Sequence, residues 1–421
     1  MRDIFRSVKP ADRKPEQSKK LREYYLEYVC ATTRPAFETL RLELNPLKTE
    51  RDAIDKLIPA TFIYRDLEKQ RESFVMIRGQ YNKPGERVYP NTPAILPPLP
   101  KGDTTNRLTF ARWLVDPQHP LTARVAVNRF WQQFFGLGIV KTANDFGAQG
   151  DPPSHPELLD WLATTFQQDG WDVQRLVKLI VTSATYRQDS RVSPELLAAD
   201  SENRLLGRAP RYRLDAEVVR DNALFVSGLM NHTLGGKGVR PYQPENIWEP
   251  VAYSGSNTRV YKQDAGDALY RRSLYTFWKR TAPPPNMTTF DAPSRESFCV
   301  RRERSNTPLQ ALVLMNDIQH FEAARAFAQR LLKEGGATPA ARLAWGFRTA
   351  TARQPSAAEQ GILNQSLTVQ LAKFNADTDA AKQVIATGDS KPAPDLNPSE
   401  LAAYTLVASL ILNLDECLTK N

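Results

Sequence analysis

Leu121-Thr-Ala-Arg-Val-Ala-Val-Asn-Arg-Phe-Trp-Gln-Gln-Phe-Phe135 decides the fold class of this chain. Within it Val127, Phe130, Trp131, Phe134 and Phe135 recur at i, i+3, i+4, i+7 and i+8, a wide apolar face of the kind a helix turns to a core. Gly136 and Gly138 then let the helix stop. The same spacing returns downstream. His155-Pro-Glu-Leu opens a helix with Leu158, Trp161, Leu162 and Phe166 on one side, and Val173, Leu176, Val177, Ile180 and Ala184 form another. Leu214 to Met230 reads as a helix with Leu214, Val218, Phe225 and Leu229 inward. Leu309 to Leu332 reads as one long helix with Leu314, Ile318, Phe321 and Ala328 along one side. After two or three more helices and a loose segment from Asp389 to Pro398, a last one carries Val407, Leu410, Ile411 and Leu414.

Upstream, Glu16 to Ile58 reads as two helices. Leu21, Tyr24, Tyr25 and Tyr28 mark the first; the second carries Phe37, Leu40 and Leu44 before Pro46 interrupts it. Charged residues fill the remaining positions, so this is a helical hairpin expected to lie on something else. Ser73 to Tyr81 is the best strand candidate. Arg272 to Trp278 is a second, with Leu274, Thr276 and Trp278 on one face and Ser273, Tyr275 and Phe277 on the other. Pro84, Pro90, Pro93, Pro97, Pro98 and Pro100 make the stretch between Pro84 and Pro100 an extended connector. The expected fold class is therefore mainly α, an irregular multi-helix architecture with a few short strands and long proline-rich connectors. The strand–helix alternation of a doubly wound sheet is absent. Four parts are expected: a helical hairpin or spacer over 1–70, a strand and connector over 71–105, a main helical domain over 106–335, and C-terminal helices over 336–421 that pack on it.

The totals agree with a globular chain. Of 421 residues, 41% are hydrophobic and 24% charged, enough for a sizeable core. Net charge is +9 and pI about 9.3, which raises nucleic acid as a partner. The arginines are spread from Arg2 to Arg353 without a run of five or more basic residues, and arginine is the residue best suited to pairing with carboxylates, so that partner is disfavoured. Cys30, Cys299 and Cys417 are odd in number and far apart, a poor basis for a disulfide scaffold, zinc knuckle or attached haem. One disulfide in an oxidising compartment stays open. No stretch has the 18 or so apolar residues of a membrane helix, and Met1 to Lys9 lacks the apolar core of a signal peptide.

Several motifs dissolve when weighed. Asp145-Phe-Gly147 copies a kinase tripeptide, but no kinase glycine loop or His-Arg-Asp segment precedes it, and a turn explains it. In Gly235-Gly-Lys-Gly238, Lys237 is followed by glycine where a phosphate loop needs Ser or Thr. His119, His155, His232 and His320 show no zinc-ligand spacing, so no metal is expected. No Gly-x-Ser-x-Gly elbow occurs.

The segment Asp291-Ala-Pro-Ser-Arg-Glu-Ser-Phe-Cys-Val-Arg-Arg-Glu-Arg-Ser-Asn-Thr-Pro308 remains. It gathers Arg295, Arg301, Arg302, Arg304 and Cys299 in front of a helix opened by Thr307 and Pro308, a setting suited to an anion. Cys299 would be reactive if exposed among these cations, or inert if buried. On the Leu214 helix, Arg213, Glu217, Arg220 and Asp221 are either a solvated face, a buried ionic network, or a carboxylate pair held by arginines for acid–base work. The candidate ligand-binding residues are Arg187, Arg213, Glu217, Asp221, Arg280, Asp291, Arg295, Arg302 and Asn306. The arginines would hold an anionic group and Asn306 would orient it.

The ordered blocks Arg107 to Pro117, Leu121 to Arg129, Asp145 to Gly150, Pro153 to Trp161, Thr182 to Arg187, Arg271 to Trp278 and Asp291 to Asp317 closely resemble a planctomycete-specific domain of unknown function. Its members usually end large proteins that carry a planctomycete-type cytochrome c module. The resemblance runs from about Phe74 to the C-terminus. It implies an exported, cell-envelope protein of which this chain is the C-terminal portion or a truncated product. Haem would belong to a separate N-terminal module, so no cofactor is expected in this chain. Cys417 stands where the family leads one to expect an aromatic residue, a packing change. The resemblance transfers no catalytic residues. The expected function is a non-catalytic binding or assembly module beside an electron-transfer domain. The rival is an enzyme or binding module acting on an acidic or sulfated polysaccharide, suggested by the arginines together with Trp248, Tyr253, Tyr275 and Trp278. The expected partners are accordingly an anionic saccharide or another protein domain.

Overall fold

The computed structural model describes residues 5–6, 8–58, 60–68, 71–100 and 105–420. It divides into two compact units, residues 1–90 with 104–107 and residues 91–103 with 108–421.

In the first unit, helix α1 (Pro15–Tyr24) continues through a π-helical turn at Tyr25–Val29, and helix α2 (Arg34–Leu57) follows. Both helices carry proline in the first turn, where the missing N–H costs nothing. Arg41 fastens the second helix to the first: its guanidinium lies 3.8 Å from the Tyr28 ring and donates to the Glu27 carbonyl at 3.0 Å. Neither helix buries a residue. Pro46 was expected to interrupt α2, and instead sits inside it. The helix is exposed there, so the carbonyl that loses its partner is open to solvent. Strands β1 (Ser73–Met76) and β2 (Pro84–Val88) form an antiparallel hairpin with Ser73 opposite Val88. The expected strand therefore stops at Met76, and the proline-rich stretch opens with a strand of its own; proline is tolerated as a strand's first residue.

The second unit, the body, holds the core. Helices α3 (Arg107–Leu114), α4 (Thr122–Phe135), α5 (Pro156–Gln168) and α6 (Val173–Thr182) begin it. Val127, Trp131, Phe135, Leu159, Leu162, Phe166, Leu176 and Ile180 make one cluster, as the periodicity of α4 required. Buried Asn128 shapes the turn after α4, donating to the Val140 carbonyl at 3.0 Å and accepting from its N–H at 2.8 Å. Trp113 pins the proline-rich segment by donating to the Pro97 carbonyl at 2.7 Å. On α5, Trp161 is exposed and Leu159 takes the inward place expected of it; on α6, Val173 is likewise exposed.

Helix α7 (Pro194–Ala199) is capped by Ser193. Strand β3 (Tyr212–Arg213) leads into α8 (Ala216–Ser227), and α9 (Pro285–Thr288) and α10 (Pro308–Asn316) follow. The chain continues through α11 (Ile318–Glu334), α12 (Pro339–Thr351), α13 (Ala357–Ala376), α14 (Thr378–Ile385), α15 (Pro398–Leu412), α16 (Asp415–Leu418) and β4 (Thr419–Lys420), which pairs with β3. Helix α15 is apolar on nearly all sides and lies among α11, α13 and α14. Ala323, Ala324 and Ala328 of α11 and Ala402, Ala403 and Ala408 of α15 are all fully buried, so small side chains line the contact between the two most intimately packed helices.

Four further expectations are corrected. The long helix over Leu309–Leu332 is two helices, because Asp317 turns extended (ψ 129°) and its carboxylate caps the N–H groups of Gln319 and His320 at 3.0 and 3.1 Å. Arg272–Trp278 is not a strand: Ser273–Tyr275 is a 3-10 turn, since Tyr275 and Thr276 donate back to the Arg272 and Ser273 carbonyls, and a single bridge joins Thr276 to Val239. On α8, Val218 and Phe225 face solvent, while Val219, Ala223, Leu224 and Val226 face inward. The stripe is rotated by one residue because buried Arg220 is drawn into the core. In the last helix Leu410 is exposed, while Val407 and Ile411 are buried. No helix of the described residues is long and apolar enough to cross a membrane.

Candidate functional site

The arginine-rich loop from Asp291 to Asn306 folds onto the first turns of α8. Asp291 adopts positive φ (59°), and its carboxylate closes the loop by accepting from the Ser305 N–H at 2.6 Å and hydroxyl at 2.7 Å. Buried Gln310 braces the base, donating to the Thr289 carbonyl at 3.0 Å. Glu217 meets Arg302 in a fork, at 2.6 and 3.1 Å, and Arg295 approaches the same carboxylate at 3.3 Å. Arg295 also has positive φ (60°), and its guanidinium lies 4.5 Å from the Trp278 ring; the Trp278 indole donates to the Ser294 carbonyl at 2.9 Å. Asp215 leaves its own helix uncapped and faces Arg302 at 3.7 Å and Arg304 at 3.5 Å.

Beneath this lies a layer of backbone-directed charge. Arg220 is fully buried and donates to the Leu269 carbonyl (2.8 Å), the Arg271 carbonyl (2.9 Å), the Ser273 hydroxyl (3.0 Å) and Gln319 Oε1 (2.6 Å). Burial lowers its pKa to about 10, against the pull of Asp221 and Asp317, so it stays a cation at neutral pH. Asp221 accepts from the Ser273 N–H at 2.7 Å. The result is a cleft of about 790 Å³ lined by Glu217, Asp221, Arg272, Arg295, Phe298 and Arg302, among others. Phe298 at its rim is 90% exposed.

Four predicted residues thus come together in the cleft: Glu217, Asp221, Arg295 and Arg302. Asp291 braces its wall, and Arg280 reaches Glu296 at the rim, at 3.3 Å. Arg213 turns elsewhere, toward Gln310 at 3.2 Å and Asp415 at 3.6 Å. Arg187 and Asn306 are exposed and outside the cleft lining. Cys299 is exposed on the cleft wall, its thiol donating to the Arg301 carbonyl at 3.1 Å.

The charge state of Glu217 limits the chemistry. Burial pushes its carboxyl up, but the Arg302 hydrogen bonds and the charges of Arg302 and Arg295 outweigh that, and the group titrates below the ordinary carboxylate range. It is ionised at neutral pH and has no proton to give.

A second charged cluster escaped the sequence reading. Glu322 and Arg325 on α11 are both fully buried, 3.6 Å apart. Glu322 accepts from Tyr242 (3.0 Å), Tyr270 (2.8 Å), and the Ser390 N–H (2.7 Å) and hydroxyl (2.6 Å). Arg325 donates to the Ser390 carbonyl at 2.7 Å. Gly388 passes so close that a Cβ there would stand 2.3 Å from the Glu322 carboxyl carbon. The available signal was an acid and a base one turn apart in an otherwise alanine-rich face.

No curated protein and no solved structure matches the chain. Residues 106–367, more than half of its length and including α8 and the whole arginine loop, match the model of PSD1, a protein of unknown function (DUF1553), and the chain belongs to that family.

Proposed function

We propose that this chain is a binding or assembly module without a reaction of its own, and that the cleft between α8 and the arginine loop is where it meets its partner. The observation that carries this is the pairing of charge: the carboxylate of Glu217 is ionised and already clamped by Arg302 and Arg295. A glycoside hydrolase acid needs a raised pKa, the opposite of what Glu217 has. A small anion would also have to displace Glu217 and Asp215 from their arginines. Exposed Phe298 and Leu274 beside paired charges instead suit a protein surface, with an apolar anchor inside a polar rim.

The resemblance to C-terminal domains of planctomycete cytochrome c proteins supplies the finer reading. The partner is then an electron-transfer module at the cell envelope, and the haem is that module's. A second reading rests on one contact, the Arg295 guanidinium over the Trp278 indole, which suits a sulfated or uronic saccharide. Nucleic acid is disfavoured because the arginines of the cleft, Arg295 and Arg302, and Arg304 beside them are answered by carboxylates or aromatic rings.

Calorimetric titration separates these. A separately expressed planctomycete-type cytochrome c module should give saturable heat that Phe298→Ala abolishes. A saccharide-selective response to sulfated or uronic oligosaccharides, absent with a neutral glycan and short DNA, would replace the assembly reading with the second one. Heat that persists unchanged in Phe298→Ala would remove the cleft as the meeting place.

A further inference from the structure

A second cavity adjoins α10 and shares no lining residue with the arginine cleft. It measures about 480 Å³, within the ordinary range of a small-molecule site. Half-exposed Leu309, Leu312 and Ile318 line it, with Pro244 and Pro285. Its polar groups are oriented so that oxygen is what they leave over. Tyr242 donates its hydroxyl to Glu322 at 3.0 Å and accepts from the Asp389 N–H at 2.7 Å. Thr289 donates its hydroxyl to the Pro285 carbonyl at 2.8 Å. Asn286 turns its NH2 to the Asp317 carboxylate at 3.2 Å, and Asn316 turns its own to the Leu312 carbonyl at 2.7 Å. Both of those partners can only accept, which fixes each asparagine oxygen at the opposite end. Among the described residues no hydrogen bond reaches either oxygen. Gln243 also lines the cavity; its amide meets no partner and can turn either end to a ligand, so it does not decide the ligand's polarity.

The charge of the cavity is set by Asp317. Among the described lining residues it alone is ionised, and no lysine, arginine or histidine joins it. Its Oδ1 accepts from the Gln319 N–H at 3.0 Å and meets the His320 N–H and Nδ1 at 3.1 Å each, whereas Oδ2 accepts from Asn286 alone. A carboxylate oxygen accepts two bonds, so Oδ2 has room for one more donor. Burial pushes the carboxyl up, but the hydrogen bond and charge of His320 outweigh that, and the group titrates below the ordinary carboxylate range. The positive groups near Asp317 are spent elsewhere. Arg220 gives its guanidinium to Leu269, Arg271, Ser273 and Gln319, and buried His320 turns its Nδ1 to Oδ1. The negative end of α10 and the positive end of α11 meet at Asp317, so the two helix dipoles oppose each other there. We propose that this cavity binds a small organic ammonium ion with an apolar body. The hydrocarbon part lies against Leu309, Leu312 and Ile318, and the ammonium donates to Asp317 Oδ2 and to the asparagine oxygens. A carboxylate or phosphate is refused, since it would face one carboxylate and no base.

Three probes of one skeleton test this on the whole chain: 2-phenylethylammonium, neutral 2-phenylethanol and anionic phenylacetate, titrated by ligand-observed saturation-transfer NMR. The ammonium should bind with a Kd of about 1–10 mM, as befits so small a ligand. The alcohol should bind at least about tenfold more weakly, the worth of one charge-assisted hydrogen bond, and the carboxylate should not bind. Asp317→Asn keeps a good helix cap and removes the charge, so it should bring the ammonium down to the level of the alcohol and leave the alcohol unchanged. That unchanged binding is a readout that damage to the fold would not leave intact. Leu312→Trp, at an exposed position that the fold tolerates, should fill the cavity and abolish binding of both. Ammonium binding that survives both substitutions would be an adventitious cation on the surface and overturns the proposal. So does phenylacetate binding as tightly as the ammonium, an alcohol that equals the ammonium in the unaltered chain, or no binding of the ammonium at about 10 mM.

Discussion

Helices α2 and α11 both carry apolar stripes among charges, yet α2 buries no residue and α11 buries most of its length. Periodicity announces that a face wants cover; it does not say whether the cover lies in the same chain. The difference is written in the small residues. Ala324 and Ala328 share one buried cluster with Ala402, Ala403 and Ala408, and Phe327, Leu331, Leu401 and Val407 belong to the same cluster. Helix α2 has leucines on its stripe and long charged side chains beside them, and buries none of them.

The largest expected effect falls on the buried pair of α11. Glu322→Ala strands Arg325 without its counter-ion and frees Tyr242, Tyr270 and Ser390, and should cost the body about 3–5 kcal/mol in urea denaturation. A loss below about 1 kcal/mol would show that this part of the body is wet. Next, Phe327→Ala should cost about 3–5 kcal/mol, whereas Leu47→Ala should stay within about 0.5 kcal/mol. Equal costs would erase the contrast between the two units.

The third effect is smaller and depends on pH. Glu217→Gln should cost about 1–3 kcal/mol at neutral pH by removing the ionic half of the fork with Arg302. The folded pKa of Glu217 lies below its unfolded value of about 4.3, so its contribution is complete above that value and is lost as pH falls through the folded pKa. Melting curves of wild type and variant should therefore converge in acid, and an offset that does not change with pH would mean that the charge of Glu217 contributes nothing to stability. The smallest effect is on reactivity alone. Burial pushes the Cys417 thiol up to about 12, and it should react with a thiol reagent only when the body opens, while exposed Cys299 reacts in the folded state. Native-state labelling of Cys417 as fast as that of Cys299 would show the C-terminal turn to be loosely held.

The helical class and the α4 cluster were legible because Val127, Trp131 and Phe135 sit on one side of a regular pattern. The grouping of Glu217, Asp221, Arg295 and Arg302 was named from charge and order alone. What failed did so for local reasons. Asp317 could be read as an interior helical residue, but its short carboxylate is a better cap than a helix former. Arg272–Trp278 alternates like a strand, yet its N–H groups are taken by Asp221 and by short-range turns. The inward turn of Arg220 rotated the α8 stripe, and no periodicity that counts only apolar residues can find a buried cation. Glu322 and Arg325 were hidden for the same reason, since their partners arrive from segments 52 to 80 residues away.

Arg220 also sets a timetable. Its four acceptors lie 49 to 99 residues further along the chain, at Leu269, Arg271, Ser273 and Gln319. Until those residues have left the ribosome, a guanidinium in the middle of α8 has no dry place to go, and the helix cannot settle against its neighbours. This helix therefore cannot be laid down in its place as it is made. The cluster of α4 to α6 closes within residues 127–180, but α8 must wait for α11 to emerge.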